Sequence, residues 1–313
     1  MKKPGGEAQL SMNQGRCLRM TAVACLLLVT SVSQAAVSHG RVVPAHLKYA
    51  NRASLAEPAL RSSAALVLDT THSSVLYSRH SGVALPIASI TKLMTALVIM
   101  DAGQSLDEML TVTAEDRRSG GKGAVSRLAP GTPLTRGDLL HLALMASENR
   151  AAHALGRNYP GGIAACVAAM NAKARELGMA SAQFVEPTGL SDENVASPED
   201  LSKLVMAAAK VPAIREYSTD NAYMVQVGRR MLRFGNTDSL VTRPDWKIEV
   251  QKTGYISQAG RCLVMQTVIE DRTVVIVLLN SFGKRSRVAD ARRIRKWMEA
   301  TLLARAASPP ATS

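Results

Sequence analysis

The sequence predicts an α+β fold in which strands from both ends of the chain form one sheet around a helical insertion. Alternating and β-branched segments occur before residue 80 and return after residue 222, whereas the pattern between them is mainly helical. With 313 residues and 47% hydrophobic content, the chain can bury a large core in one or two lobes. We therefore expect a sheet lobe formed by residues 61–88 and 220–305, and a helical lobe formed by residues 89–219.

The strands are predicted from apolar and polar alternation between turn-forming residues. Near the N-terminal end, residues 64–69 and 74–78 should form a hairpin around Thr70–Ser73. The later strands are predicted at 223–227, 231–234, 247–252, 261–269 and 272–280. A final helix should begin near Val288 and pack its apolar face on the sheet, which leaves its basic face solvated.

The first 35 residues have the features of a secretory signal. Basic residues precede an apolar segment, Met20–Val32, and residues 33–35 offer small side chains for cleavage. The apolar segment is too short to predict a membrane span, and the residues before Cys25 match a lipoprotein signal poorly. We expect export to a bacterial periplasm, followed by a basic lead-in (36–60), and a short tail (306–313) after the folded domain.

The charge of the chain points to anionic surroundings. The formal net charge is +13, and loss of the predicted signal, which holds four basic residues and one acidic residue, lowers it to +10. Such a protein is attracted to anionic wall polymers, and its charge alone supports at most a loose membrane association. Nucleic-acid binding is a poor interpretation, because aromatic residues are 4% of the chain and no basic stripe is interleaved with them.

The cysteine and histidine patterns call for no metal, cofactor or disulfide. Cys17 and Cys25 leave with the predicted signal, and we interpret Cys166 and Cys262 as buried and unpaired. The six histidines lack the H-E-x-x-H and Cys-paired spacings of zinc sites. A Ser-His-Asp triad is not supported either, since the chain has no G-x-S-x-G elbow.

Three short motifs carry the chemistry of the chain, in the order Ser89-Ile90-Thr91-Lys92, Ser147-Glu148-Asn149 and Lys252-Thr253-Gly254. They match the S-x-x-K, S-x-N and K-T-G elements of serine enzymes that react with penicillin. Each motif alone is weak evidence, because Ser119–Lys122 and Ser281–Lys284 also fit S-x-x-K, and Ser11-Met12-Asn13 also fits S-x-N. K-T-G occurs once, and order, spacing and context favour this set alone.

The context of the first motif supports a nucleophile and its base. Ser89 begins an apolar helical run that ends at Gly103, and a spacing of three residues places Lys92 on the same helical face. A serine hydroxyl needs a base, and a desolvated lysine can supply a neutral amine. Taken alone, a helix-capping serine with an exposed lysine would be the more common explanation.

The other two motifs have contexts that suit a binding cleft. Ser147-Glu148-Asn149 separates two predicted helices, the first capped by Thr135, and can aim a hydroxyl and an amide outward. Lys252 and Thr253 follow an alternating strand and offer a cation and a hydroxyl to a carboxylate, while Gly254 permits a close backbone approach. Taken alone, the first of these motifs could be an ordinary helix–helix turn, and the second could be an edge strand with solvated polar residues.

Taken together, the motifs identify a resemblance to the low-molecular-mass penicillin-binding proteins of the D-alanyl-D-alanine carboxypeptidase family. The resemblance runs from about residue 62 to residue 303 and includes the blocks 86–92, 184–190 and 197–201. Within the family the chain is most similar to the endopeptidase type known as penicillin-binding protein 7, since Ser147-Glu148-Asn149 replaces the more frequent Ser-Gly-Asn. The resemblance implies a β-lactamase/transpeptidase-like fold, with a five-stranded antiparallel sheet flanked by helices and an all-helical lobe beside it.

The resemblance also implies a mechanism. A serine D,D-peptidase of this kind hydrolyses D-alanyl bonds of peptidoglycan stem peptides, needs no cofactor, and is acylated by β-lactam antibiotics. Ser89 would be the nucleophile and Lys92 its base, with Ser147 and Lys252 relaying a proton to the leaving amine. Backbone N–H groups of Ser89 and Tyr255 would form the oxyanion hole. The implied substrate-binding residues are Asn149, Lys252, Thr253, Gly254 and Tyr255.

Several activities remain open at this level. We expect an endopeptidase that acts on D-Ala–diaminopimelate cross-links, because the strand ending near Asn280 is followed only by one helix and a tail, where major membrane-bound carboxypeptidases carry a β-rich domain and an anchor. A D-alanyl-D-alanine carboxypeptidase is the first alternative. A serine β-lactamase would need a carboxylate for deacylation, for which Glu186 and Glu199 are available. A non-catalytic wall-binding protein is the last alternative, and the intact motif set argues against it.

Overall fold

The computed structural model describes residues 48–49, 57–117 and 126–307. The predicted signal, most of the basic lead-in and nearly all of the tail lie outside these ranges, so their predictions are not tested by the structure. The S-x-x-K match at Ser119–Lys122 also lies outside them.

The strands of the described residues are β1 (Lys48–Tyr49), β2 (Ser62–Asp69), β3 (Ser74–Arg79), β4 (Leu85–Pro86), β5 (Met109–Thr111), β6 (Pro133–Thr135), β7 (Val195–Ala196), β8 (Ala222–Val227), β9 (Arg230–Gly235), β10 (Lys247–Ile256), β11 (Gly260–Ile269) and β12 (Arg272–Ser281). Their helices are α1 (Thr91–Asp101), α2 (Arg136–Met145), α3 (Asn149–Arg157), α4 (Gly162–Glu176), α5 (Pro198–Ala208), α6 (Pro212–Thr219) and α7 (Ser286–Ala307).

The main sheet joins strands from both ends of the described chain, as predicted. Its order is β1-β3-β2-β12-β11-β10, and the five strands from β3 to β10 are antiparallel. The two-residue β1 adds a parallel edge beside β3. The pairing of β2 with β12, in which Leu66 lies opposite Val277, closes the N-terminal hairpin onto the C-terminal meander. The predicted five-stranded antiparallel sheet is therefore confirmed.

Helices cover both faces of this sheet, which explains why its central strands are almost continuously apolar. Along β12, Val275 and Val277 pack against the helical insertion, whereas Val274 and Ile276 pack against α7 and its neighbours. All four side chains are fully buried. In a strand that is covered on both faces, an apolar side chain is stabilising at every position. The sequence of such a strand is therefore a continuous apolar run and does not alternate between apolar and polar residues.

The insertion between β4 and β8 is built around α1. Residues Thr91–Ile99 of α1 are buried on every side, and α1 contacts α2, α3, α4 and α5. An all-round apolar pattern is typical of such a central helix. Among the described residues, strands β8 and β9 pair only with each other, and β8 lies against α2 and β6. The alternation of these two segments predicted strands correctly but could not indicate that they would stand apart from the main sheet.

The terminal helix α7 packs on the sheet through Ala291, Ile294 and Met298, as predicted. Its buried Asp290 was not foreseen, and its carboxylate accepts hydrogen bonds from the Ser62 backbone N–H (2.8 Å) and the Ser62 hydroxyl (2.7 Å). These bonds attach α7 to the start of β2. Cys166 and Cys262 are buried and unpaired, which confirms their interpretation. Within the described ranges, no helix has the length and apolar character needed to cross a bilayer.

Candidate active site

Ser89 lies in a tight turn and not in the first turn of the α-helix, where the sequence placed it. A 3-10 turn, Ala88–Ile90, precedes α1, and the Thr91 hydroxyl donates to the Ala88 carbonyl at 2.8 Å. Ala88 adopts a left-handed backbone conformation with φ of 49°, which costs energy for any residue with a Cβ. This strained turn presents the partly exposed Ser89 at the junction between the sheet and the insertion.

Lys92 connects three parts of the site through one amine. Its Nζ donates to Ser89 Oγ at 2.8 Å, to Asn149 Oδ1 at 2.7 Å and to the Thr188 carbonyl at 2.5 Å. The side chain is 1% exposed, so the alternative of a solvent-exposed lysine is wrong. Burial lowers the pKa of Lys92 to about 8, although the negative charges of Glu186 and Glu148 oppose this shift.

The second motif lies where α2 ends and α3 begins. Thr135 caps the start of α2, as predicted, and Asp138 completes a reciprocal capping box with it. Ser147, with φ of 58°, turns the chain so that Asn149 opens α3. Asn149 reaches Lys92 directly. Within the part of the chain that the structure describes, the Ser147 hydroxyl makes no hydrogen bond, so it is available to a ligand.

The K-T-G motif lies inside β10, at the edge of the main sheet. Gly254 passes directly beneath the Ser89 turn: a Cβ on Gly254 would lie 2.9 Å from the Ile87 carbonyl oxygen and 3.2 Å from the Ser89 nitrogen. Glycine is therefore required for the close approach that the sequence predicted. The Thr253 hydroxyl is hydrogen-bonded to the hydroxyl of Thr237 at 2.6 Å.

Lys252 is fully buried within a group of charged residues. Burial lowers its pKa well below the usual value, and the nearby positive charges of Lys92 and Arg287 lower it further, while Asp238 opposes them. Lys252 Nζ donates to the Thr253 carbonyl at 3.0 Å, and Arg287 Nη1 donates to the Gly254 carbonyl at 2.9 Å. The edge strand that approaches Ser89 thus carries one basic side chain, Lys252, and a second, Arg287 of α7, lies beside it.

Sequence reasoning missed Thr237, Asp238 and Arg287. Arg287 belongs to the basic run 284–296, which was predicted to form the solvated face of the final helix. This arginine is instead partly buried and donates a hydrogen bond to the K-T-G strand. The spacing of the run held no signal for this contact, because Arg287 and Gly254 meet only through the packing of α7. The rejected match at Ser281 is structural, since its hydroxyl lies 3.4 Å from the Asp290 carboxylate.

Glu186 organises the loop that supplies a carbonyl to Lys92. Its carboxylate accepts hydrogen bonds from the backbone N–H groups of Thr188 (2.6 Å), Gly189 (2.6 Å) and Leu190 (2.9 Å). Gly189 has φ of 82°, and a Cβ there would lie 1.9 Å from the Ala88 carbonyl oxygen. The block 184–190 therefore packs directly under the Ser89 turn, a role that its sequence alone did not reveal.

Tyr255 follows Gly254 and completes the predicted residues. Its side chain is 56% exposed, and the Arg261 guanidinium lies over its ring at 4.5 Å from the centroid. The chain therefore brings Ser89, Lys92 and Asn149 into direct contact and places the K-T-G strand, with Tyr255, against the same turn.

Comparisons with known proteins decide the family. Residues 51–283 match the sequence profile described as D-alanyl-D-alanine carboxypeptidase, peptidase family S11. The chain belongs to this family. It is 44% identical over 254 residues to a D-alanyl-D-alanine endopeptidase of Escherichia coli, with 80% of this chain and 82% of the relative covered. It is 46% identical over 242 residues to a D-alanyl-D-alanine endopeptidase of Pseudomonas aeruginosa, with 77% and 78% covered.

Solved structures support the same fold. The DD-transpeptidase of Streptomyces strain K15 superposes with a TM-score of 0.73 at 24% identity, covering 79% of this chain and all (100%) of that one. A D-alanyl-D-alanine carboxypeptidase of Mycobacterium tuberculosis superposes with a TM-score of 0.69 at 25% identity, covering 83% and 96%. The predicted β-lactamase/transpeptidase-like architecture is therefore confirmed.

Proposed function

We propose that this protein is a periplasmic serine D,D-peptidase that cleaves D-alanyl bonds of peptidoglycan through an acyl-enzyme on Ser89, and that it acts chiefly as an endopeptidase on D-Ala–diaminopimelate cross-links. The observation that carries the proposal is the buried Lys92 amine, 2.8 Å from Ser89 Oγ and 2.7 Å from Asn149 Oδ1. A base already in contact with a serine hydroxyl is the basic requirement for nucleophilic catalysis.

Acylation begins with transfer of the Ser89 proton to the neutral amine of Lys92. Ser89 Oγ then attacks the carbonyl carbon of the penultimate D-Ala, and the N–H groups of Ser89 and Tyr255 stabilise the negative oxygen. As the C–N bond breaks, the leaving amine receives a proton through the hydroxyl of Ser147 and through Lys252. Water then hydrolyses the ester and releases the shortened stem peptide.

The substrate carboxylate would bind at the K-T-G strand. Thr253 offers a hydroxyl there, and Lys252 and Arg287 provide positive charge beside it. A carboxylate next to several partly desolvated cations is strongly favoured over a neutral group. The same contacts would capture the carboxylate of a β-lactam, so the proposal includes covalent inhibition by penicillins.

The β-lactamase alternative receives no support from its two candidate carboxylates. Glu186 is occupied by backbone N–H groups of its own loop, and Glu199 accepts a hydrogen bond from the Ser81 hydroxyl at 2.7 Å. Both carboxylates are therefore engaged by neighbouring protein groups. The endopeptidase preference is supported by the two relatives that carry this name and share 44% and 46% identity with the chain.

Digestion of purified muropeptides tests the proposal. Cross-linked dimers and monomeric pentapeptides are incubated in parallel with the protein and with its Ser89→Ala variant, and the products are separated by chromatography. We expect the wild type to convert dimers to monomers faster than it releases D-Ala from pentapeptides, and the variant to do neither. Faster release of D-Ala would make the protein a carboxypeptidase, and rapid turnover of nitrocefin would make it a β-lactamase.

A further inference from the structure

Arg261, on the strand next to the K-T-G strand, has a guanidinium without a hydrogen-bond or ion-pair partner among the described residues. Arg261 lies directly opposite Tyr255 in the pairing of β10 with β11, and its guanidinium stacks on the Tyr255 ring. Within the described residues, Arg261 makes no ion pair and its side chain donates no hydrogen bond to a protein group. Stacking on an aromatic ring holds the planar guanidinium in place and leaves its N–H groups free for a ligand.

The position of Arg261 relates it to the substrate. Residues two apart on a strand project from the same face, so Tyr255 shares a face with Thr253 about 7 Å away. Cross-strand partners also share a face, which places Arg261 there too. Burial lowers the pKa of Arg287, and the positive charge of Arg261 adds to this lowering while Asp238 opposes it. Arg261 therefore extends the row of positive charge beyond the place proposed for the first carboxylate.

The chemistry of the leaving group suggests what this extension binds. A carboxypeptidase releases free D-Ala, which has a single carboxylate. An endopeptidase releases an amine that belongs to a whole stem peptide, and such a peptide has further carboxylates beyond the one next to the scissile nitrogen. A guanidinium with free N–H groups one step farther along the strand face is suited to the second of these anions.

We infer that Arg261, held by Tyr255, is a specificity residue that binds a second carboxylate on the leaving peptide and so favours cross-linked substrates over single stem peptides. The inference rests on the proposed function, because it assigns a feature of the same site to its leaving group. Arg261 does not touch the reacting atoms, and its effect should therefore appear in the choice between substrates.

The test is the ratio of kcat/KM for dimers to kcat/KM for monomeric pentapeptides. Loss of one charge-assisted hydrogen bond costs about tenfold in binding, so Arg261→Gln should lower this ratio about tenfold, with a smaller loss for Arg261→Lys. Tyr255→Leu should lower the ratio in part, because it removes the stack, and Tyr255→Phe should preserve it. Arg230→Gln on the separate β8–β9 hairpin removes the same charge and should leave the ratio unchanged.

A second test combines chemical modification of the substrate with the Arg261→Gln variant, as in a double-mutant cycle, so that the conclusion does not depend on one variant alone. Dimers in which the leaving peptide keeps only the carboxylate next to the scissile nitrogen, with the others amidated, should lose the preference with the wild type. The same amidation should have no additional effect in Arg261→Gln. In the wild type, raising the salt concentration should lower the ratio, since salt screens an ion pair of the partly exposed Arg261.

An unchanged ratio in Arg261→Gln, or an equal loss on dimers, monomers and penicillin, would overturn the inference, because the arginine would then serve only the general structure of the site. Equal responses of wild type and variant to amidation would overturn it as well. These results leave the proposed function intact. A wild type that cleaves no dimers would overturn the proposed function, and the specificity inference with it.

Discussion

The rate of penicillin acylation should follow the deprotonation of Lys92. The amine must be neutral to accept the Ser89 proton, and its pKa is lowered to about 8 by burial. At this pKa, about one tenth of the molecules hold neutral Lys92 at pH 7 and about nine tenths at pH 9. The second-order rate constant should therefore rise about tenfold between pH 7 and pH 9 and level off at higher pH.

Two matched charge removals test the cause of this profile. Glu148 opposes the lowering of the Lys92 pKa through its negative charge, so Glu148→Gln should lower that pKa further and move the midpoint to lower pH. Glu199→Gln removes the same charge from a residue bonded to Ser81, outside the groups that perturb Lys92, and should leave the midpoint in place.

Stopped-flow measurement of fluorescent penicillin labelling between pH 6 and pH 10 gives the profile. A rate that is constant across this range, or one that falls as Lys92 loses its proton, would refute the assignment of Lys92 as base. If Glu148→Gln and Glu199→Gln moved the midpoint equally, the effect would come from the total charge and not from the local field at the amine.

Three further outcomes can be checked directly. Ser89→Ala should abolish covalent labelling by penicillin, which gel fluorescence measures, and labelling that persists would contradict the assigned nucleophile. Lys252→Arg keeps a cation for the carboxylate. Pre-steady-state kinetics should therefore show weaker binding of penicillin, with a smaller change in the acylation rate at saturating penicillin than in the affinity. Gly189→Ala should destabilise the fold by about 3 kcal/mol or more in thermal unfolding. Gly103→Ala, with a similar positive φ (63°) but open space, should cost only about 1 kcal/mol, and equal losses would show that the contact with Ala88 is unimportant.

Local sequence patterns predicted the helices and strands of this fold better than they predicted which strands pair with each other. The hairpin before residue 80 and the capping residue Thr135 could be recognised because each depends on a few neighbouring residues. The separate pairing of β8 with β9 could not, because alternation shows which face a strand buries and not which strand lies beside it. The tight turn at Ser89 was also missed, since an apolar helical run does not show whether its first residues are α-helical or 3-10.

The motif residues of the site were predictable for a similar reason. Ser89 and Lys92 are one helical turn apart, so their contact follows from spacing alone. The contact of Thr188 with Lys92 spans 96 residues, and it exists only because Glu186 shapes a loop that packs under α1. The role of Arg287 was obscured by its position in a basic run, where a solvated face is the usual interpretation.

Because Lys92, Lys252 and Arg287 lie close to one strand, binding of the substrate carboxylate should affect the charge of these groups. Each of these cations has its pKa lowered by burial, and positive neighbours lower the pKa of Lys252 and of Arg287 further. A carboxylate that binds at Thr253 favours their charged forms, so it should raise their pKa values. Since the carboxylate is expected beside Lys252, this effect on the pKa falls mainly on Lys252, while Lys92 remains against the Ser89 hydroxyl. Substrate binding would thus favour the charged form of Lys252, which relays a proton to the leaving amine, and would leave Lys92 to act as the base, so that the two lysines have opposite duties.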